Sequence, residues 1–66
     1  MKIDEAPDLL TIGQTADILQ VDRRTVRRRI ADGTLAAFKD GGEWRIPKAQ
    51  IVQRIARALE DVADNA

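Results

Sequence analysis

The chain has 66 residues, with 11 basic and 11 acidic side chains and a formal net charge of zero, and it contains no cysteine and no histidine. A chain this short forms at most one domain, and such a domain buries only about 60% of its unfolded surface. Without cysteine there are no disulfides or thiolate ligands, and without histidine the usual general base and the commonest zinc ligand are missing. We therefore predict a non-enzymatic domain with no metal and no cofactor.

The sequence also bears on where the protein works. No apolar run approaches the roughly 20 residues that span a bilayer, and the N-terminal residues lack the pattern of a secretory signal. The composition therefore predicts a cytoplasmic protein with no membrane partner.

The charges are segregated along the chain. Residues 1–22 carry a net charge of −4, residues 23–57 carry +7 and residues 58–66 carry −3. Five of the seven residues from Arg23 to Arg29 are arginine. Clustered arginine on a small domain is the electrostatic footprint of a protein that binds a phosphate backbone.

The first predicted helix follows a polar, acidic segment, residues 1–10, which we interpret as an N-terminal arm. Thr11 and Gln14 have the spacing of a capping box, which predicts a short helix over residues 13–19. Ala16 and Leu19 would form its inward stripe. The two residues that follow are too few for anything but a tight turn.

The second predicted helix covers residues 23–32. Asp22 is a good N-cap, and Val26 and Ile30 lie four residues apart on what should be the buried face. Gly33 falls where a glycine in a left-handed conformation would end the helix.

A small β-hairpin is predicted next, with one strand over residues 34–38 and the other over residues 44–46. Two registers are consistent with the turn residues. A two-residue glycine loop would place Phe38 opposite Arg45, whereas a three-residue loop that includes Asp40 would place Phe38 opposite Trp44. We favour the second register because it gives the hairpin an apolar face. We interpret Trp44 as a core residue, and stacking on nucleic acid is the alternative.

The third predicted helix runs from Pro47 to about residue 63. Its apolar residues recur every three or four positions: Ile51, Ile55, Leu59 and Val62. Because this stripe would be needed for the protein's own core, we expect a monomer in free solution. The outward side chains are polar: Lys48, Gln53, Arg54 and Arg57.

The order of these elements is that of a winged helix-turn-helix, a mostly α fold in which a two-stranded wing follows the recognition helix. Its domain would cover residues 11–63 and leave a tail at residues 64–66. Residues 10–51, which include VDRRTVR at 21–27 and WRIP at 44–47, resemble the excisionase-type winged helix-turn-helix, a branch of the MerR-like DNA-binding superfamily. Two residues depart from the family's usual pattern. Gln20 stands where glycine is frequent in the turn, and Glu43 stands in the wing where basic or neutral residues are common.

The resemblance implies binding to double-stranded DNA in a bacterial, phage or plasmid setting. Excisionases, also called recombination directionality factors, bind and bend DNA beside an attachment site and direct an integrase toward excision. The resemblance therefore implies an integrase of tyrosine or serine type as a partner, and we expect neighbouring copies of the protein on DNA. Many relatives are instead small transcription regulators.

The candidate DNA contacts follow from the helical wheel and from the charges. Arg24 and Arg28 lie opposite the buried face and are candidates for base readout, although a solvated arginine face is the alternative. Arg23 and Arg29 lie nearer the buried boundary, where phosphate contact or pairing with nearby acids is expected. The recognition-helix candidates are Arg23, Arg24, Thr25, Arg27 and Arg28, and the wing and flank candidates are Lys39, Arg45 and Lys48. Thr25 is equally well explained as a helix-stabilising residue.

Two other functions compete with an excisionase-like factor. A small transcription regulator would have the same fold and the same DNA-binding residues. A protein-interaction adaptor would need an apolar patch on the exposed side of the last helix, where the sequence instead places polar side chains.

Overall fold

The computed structural model describes the backbone of residues 1–64 and the side chains of residues 1–62, so the last two residues of the predicted tail lie outside the described part. Three helices and three strands form the fold. In chain order they are β1 (Leu9–Leu10), α1 (Ile12–Leu19), α2 (Arg23–Ala31), β2 (Phe38–Asp40), β3 (Glu43–Pro47) and α3 (Lys48–Asp64), preceded by a short 3₁₀ helix at Ile3–Glu5. The architecture is the predicted winged helix-turn-helix, with one strand more than the sequence indicates.

Capping interactions set the limits of the helix-turn-helix. The Gln14 amide donates to Thr11 Oγ1 at 3.1 Å and the Thr11 amide donates to Gln14 Oε1 at 2.9 Å, so the predicted capping box is confirmed and α1 begins one residue earlier than expected. The Thr25 amide donates to Asp22 Oδ1 at 2.7 Å, which confirms the N-cap of α2. Gly33, with φ of +84°, follows the end of α2 as predicted.

The turn between α1 and α2 contains a strained residue. Gln20 has φ of 58° and ψ of 44°, a left-handed conformation that is unfavourable for a residue with a Cβ atom. Its side-chain amide donates to the Asp17 carbonyl at 2.9 Å, and the Val21 amide donates to the Ala16 carbonyl at 3.0 Å. These hydrogen bonds hold the short turn that sets α2 against α1.

The N-terminal segment, predicted as an arm, packs against the rest of the fold. β1 pairs antiparallel with β3, with Leu10 opposite Ile46, and both side chains are fully buried. The Lys48 ammonium donates to the Ala6 carbonyl at 2.9 Å and the Lys48 amide donates to the Asp8 carbonyl at 2.8 Å. The strand β3 thus lies at the centre of a three-stranded sheet of order β1-β3-β2.

The preferred hairpin register is wrong. Phe38 pairs with Arg45 and Lys39 pairs with Trp44, so the loop has two residues rather than three. Both loop residues, Gly41 and Gly42, have positive φ, of 60° and 83°. A two-residue turn of this kind matches the right-handed twist of the strands, and this match outweighs the pairing of two aromatic side chains.

The segment before β2 is held by α3 instead of by strand pairing. The Ala36 amide donates to Gln50 Oε1 at 2.7 Å, and Gln50 Nε2 donates to the Ala36 carbonyl at 2.6 Å. Because one side chain satisfies both backbone groups, the predicted strand starts only at Phe38. Leu35, in the same segment, is buried in the core.

The core is small and is formed by residues from the N-terminal segment, the sheet and all three α-helices. Its buried apolar residues are Ala6, Leu10, Ala16, Val26, Leu35, Ile46 and Ile51. Val26 and Ile51 are the predicted inward residues of α2 and α3. None of the helices in residues 1–64 is long and apolar enough to span a membrane.

Only part of the predicted apolar stripe of α3 is buried in the core, which corrects the prediction. Pro47 ends β3 rather than opening α3. Ile51 is fully buried, but the side chains of Leu59 and Val62 are 65% and 68% exposed. The helix has 17 residues and is therefore about 25 Å long, so its C-terminal half extends beyond the core. The premise of the expected free monomer is wrong, and so is the premise that α3 exposes only polar side chains.

Candidate nucleic-acid interface

Helix α2, the predicted recognition helix, presents a cationic face because its apolar side chains point inward. Val26 is fully buried and Ile30 is partly buried against the core. The opposite face carries exposed arginines: Arg23, Arg24, Arg27 and Arg28. Arg29 is half-buried, as its position near the boundary predicts. Among residues 1–62 none of these five arginines forms an ion pair with an acidic side chain, so intramolecular pairing of Arg23 and Arg29 is not found.

Two acidic residues flank α2 and act on its ends. Hydrogen bonds with Thr25, first from the side chain and then from the backbone, lower the pKa of Asp22, and the charges of Arg24 and Arg28 lower it further. Hydrogen bonds with Thr34 likewise lower the pKa of Asp32, with Arg28 and Arg29 adding to the effect. Because the hydrogen bonds are the largest cause, these carboxylates mainly cap the helix ends. They influence the nearby arginines through their charge but form no ion pair with them. The involvement of Thr25 in the cap supports its helix-stabilising interpretation.

A groove of about 390 Å³ lies between the first turn of α2 and the wing. Its walls include Gly13 of α1, Arg23 and Arg27 of α2, and Glu43 and Trp44 of β3. The guanidinium of Arg23 packs over the first turn of α1, where a Cβ atom on Gly13 would lie 2.9 Å from Arg23 Nη2. Glycine at this position therefore allows the close approach of an arginine side chain to the helix backbone.

Trp44 belongs to this groove and not to the core, which corrects its interpretation from the sequence. Its side chain is half-buried and lies outside the apolar core cluster. The observed register places Trp44 beside Lys39, whose ammonium lies 5.2 Å from the centre of the indole ring. A cation at this distance over an aromatic face is attracted by the ring. The observed position fits the alternative interpretation of Trp44, stacking on nucleic acid, better than the core position that was preferred, and the two-glycine turn was the signal that could have favoured it.

The three other predicted cations do not form one surface. Lys39 stands beside Trp44 on the groove side of the sheet. Arg45 lies one residue along β3 and so on the opposite face, where its Nη2 is 3.2 Å from the carboxylate of Glu43. Lys48 is bound through its ammonium to the Ala6 carbonyl and ties the N-terminal segment to α3. Only Lys39 therefore adds directly to the charge beside α2.

This arrangement is suited to a polyanion rather than to a small substrate. The groove is open, its cationic side chains are long and exposed, and no buried polar side-chain atom in residues 1–62 is without a hydrogen-bond partner. Within the same residues no group of three or more potential metal ligands is found.

Comparison with known proteins identifies the family. Residues 9–58, from β1 to the overhanging part of α3, match the family described as the helix-turn-helix domain. No curated protein and no solved structure matches the chain significantly. The family is a DNA-binding one that includes excisionase-like proteins. Because the match covers well over half of the sequence and coincides with the observed helices and sheet, the chain belongs to the helix-turn-helix domain family, and this membership supports binding to double-stranded DNA.

Proposed function

We propose that this protein is an architectural DNA-binding factor of excisionase type, which binds and bends DNA at an attachment site and directs an integrase toward excision. The observation that carries the proposal is the arginine face of α2, whose arginines form no ion pair with an acidic side chain within residues 1–62 and which adjoins the groove at Trp44. Such a face supplies the charge that a bent phosphate backbone requires. The protein is not an enzyme in this proposal, and the integrase, of tyrosine or serine type, performs the chemistry.

The residues divide into two roles. Arg24 and Arg28, on the outward face of α2, read base edges in the major groove, where an arginine can donate two hydrogen bonds to guanine. Arg23 and Arg27, which line the groove, and Lys39, which lies beside Trp44, bind phosphates. This division assigns specificity to the exposed face of α2 and affinity to the groove.

Trp44, Arg45 and Lys48 have supporting roles. Trp44 packs against a deoxyribose at the groove and holds Lys39 in place. Arg45 binds a phosphate from the other face of the wing and gives up its ion pair with Glu43 to do so. The exchange costs little free energy, because an ion pair at the protein surface contributes little stability in water. Lys48 contributes through the N-terminal segment that it fixes, and any phosphate contact from its ammonium is secondary.

A small transcription regulator of the same fold is the second candidate. It is favoured by one observation, the exposed apolar surface on α3, since many repressors bind DNA as pairs of subunits. The two functions predict the same DNA-binding residues but different locations of the binding sites.

The test begins with selection of the binding site from random duplexes, followed by mapping of the sites that the protein occupies in its host. Fluorescence energy transfer between the ends of the selected duplex then measures bending. The architectural proposal expects a bend on binding and sites beside an attachment sequence. R24A/R28A is the matched loss-of-readout variant, and R54A, which removes an arginine of α3, is the control. A straight duplex together with sites at promoters would instead support the regulator.

A further inference from the structure

The linker between α2 and the wing, residues 32–37, forms neither a helix nor a strand. Its first half is fixed to α2 and to the core, because the Leu35 amide donates to the Arg29 carbonyl at 3.0 Å and the Leu35 side chain is buried. The path of the chain toward the wing is therefore decided at the next residue, Ala36.

Gln50, in the first turn of α3, binds both backbone groups of Ala36. Its Oε1 accepts a hydrogen bond from the Ala36 amide at 2.7 Å, and its Nε2 donates to the Ala36 carbonyl at 2.6 Å. Ala36 is exposed, so water could satisfy the same two groups, and the pair is not required to avoid an unsatisfied buried atom. An amide side chain that donates and accepts at once instead fixes the position and the orientation of the linker.

The strand that follows the linker is supported by the sheet on one side only. In the sheet formed by residues 1–64, β2 is an edge strand and pairs only with β3. It begins two residues after Ala36 and carries Lys39, whose ammonium lies 5.2 Å from the centre of the Trp44 ring at the wall of the groove. The position of Ala36 therefore helps to set how far Lys39 stands from the arginines of α2.

We propose that Gln50 is a positioning residue for DNA binding. It contacts no DNA itself, but it holds the linker on α3 so that the wing presents Lys39 to a phosphate beside α2. The inference rests on the phosphate contact of the wing in the proposed function, and it adds the residue of α3 that fixes the geometry of that contact. Without the two hydrogen bonds the linker has more than one path, and DNA must order it on binding at a cost in affinity.

The test compares two variants with the same added charge. Q50E keeps the size of the side chain and still accepts from the Ala36 amide, but at pH 7 its carboxylate has no hydrogen to donate to the Ala36 carbonyl. Q53E places the same charge three residues along α3, at an exposed position, and is the control. Titrations of selected and random duplexes should show an affinity about fivefold lower for Q50E than for Q53E on both, which corresponds to the loss of about one net hydrogen bond. The salt dependence of binding should also be less steep in Q50E than in Q53E, because the wing neutralises its phosphate less often.

A second comparison separates positioning from a general effect on stability. In the K39A background Q50E should cost less than about twofold in affinity, because the wing has already lost the contact that Gln50 positions, whereas in the R24A background it should cost its full effect. Equal costs in both backgrounds, equal binding by Q50E and Q53E, or a Q50E variant that circular dichroism shows to be unfolded would overturn the positioning role while DNA binding by the unmodified chain stands. A failure of the unmodified chain to bind duplex DNA would instead overturn the proposed function, and the positioning role with it.

Discussion

A single residue, Gln20, holds the turn of the helix-turn-helix in a conformation that suits glycine better. Its φ of 58° costs roughly 1 kcal/mol for a residue with a Cβ atom. We expect Q20G to be more stable than Q20A by about that amount, because both substitutions remove the side-chain hydrogen bond to Asp17 and only alanine keeps the strain. Urea unfolding of the three proteins measures the difference. Equal stability of Q20G and Q20A would mean that the turn relaxes when the side chain is shortened.

A second residue, Gly13, leaves room for the guanidinium of Arg23. A Cβ atom there would meet Arg23 Nη2 at 2.9 Å, and the end of a flexible side chain can move away at little cost. G13A should therefore keep or raise stability, by up to about 0.5–1 kcal/mol from the better helix propensity of alanine. It should also weaken DNA binding by about fivefold, because the guanidinium leaves the groove. In the R23A background the same substitution should leave DNA affinity unchanged, and a loss of affinity there would locate the effect elsewhere than at Arg23.

At the scale of the elements, the N-cap of α2 makes stability depend on pH. The hydrogen bonds with Thr25 lower the pKa of Asp22 in the folded protein, so its contribution is present above the unfolded value of about 3.9 and is lost as the pH falls through the lower folded value. We expect stability to decline below about pH 4. D22S, whose hydroxyl caps the helix without titrating, should lose less stability over the same range. Thermal unfolding from pH 7 to pH 2.5 checks this, and parallel curves for the two proteins would contradict it.

Helix α2 and the wing are also expected to contribute differently to DNA binding, α2 to sequence specificity and the wing to affinity. R24A or R28A should cost about 1–3 kcal/mol on the selected site and relax the sequence preference. K39A should weaken binding to selected and random DNA about equally, because the proposed partner of this ammonium, which lies beside Trp44, is a phosphate and not a base. Titrations of both duplexes with each variant separate the two roles. If the α2 variants lose affinity equally on every duplex, Arg24 and Arg28 do not read bases.

The elements that the sequence predicts well are those with local signals. Thr11, Asp22 and Gly33 act within a few residues of the helix ends they define, and all three behave as predicted. β1 could not be predicted because its two leucines become a strand only by pairing with β3, 36 or more residues along the chain. The residues of the candidate interface likewise divide into those that local sequence signals predict and those that depend on strand pairing. The arginine face follows from helical periodicity, whereas the position of Trp44 depends on a register that two glycine dihedral angles decide.

At the scale of the whole molecule, the segregation of charge along the chain becomes a segregation in space. The acidic Asp17 lies on α1 and pairs with the N-terminal ammonium, and Glu60 lies on the overhang of α3. The arginines gather on α2 beside the wing. A protein whose formal net charge is zero thus presents one strongly cationic face, and this face will set the ionic-strength dependence of DNA binding.

Binding to duplex DNA should therefore be strongly salt-dependent. If about five to seven phosphates are neutralised, the slope of log K against log salt concentration should be about −4.5 to −6, because each neutralised phosphate releases condensed counterions. The chain has one tryptophan and no tyrosine, so the fluorescence of Trp44 reports binding directly from the groove. K39A should make the slope less steep by about 1. R54A, on the polar side of α3, should leave it unchanged. A slope near zero would contradict nucleic-acid binding by this face altogether, whereas an unchanged slope in K39A would remove only the wing from the contact.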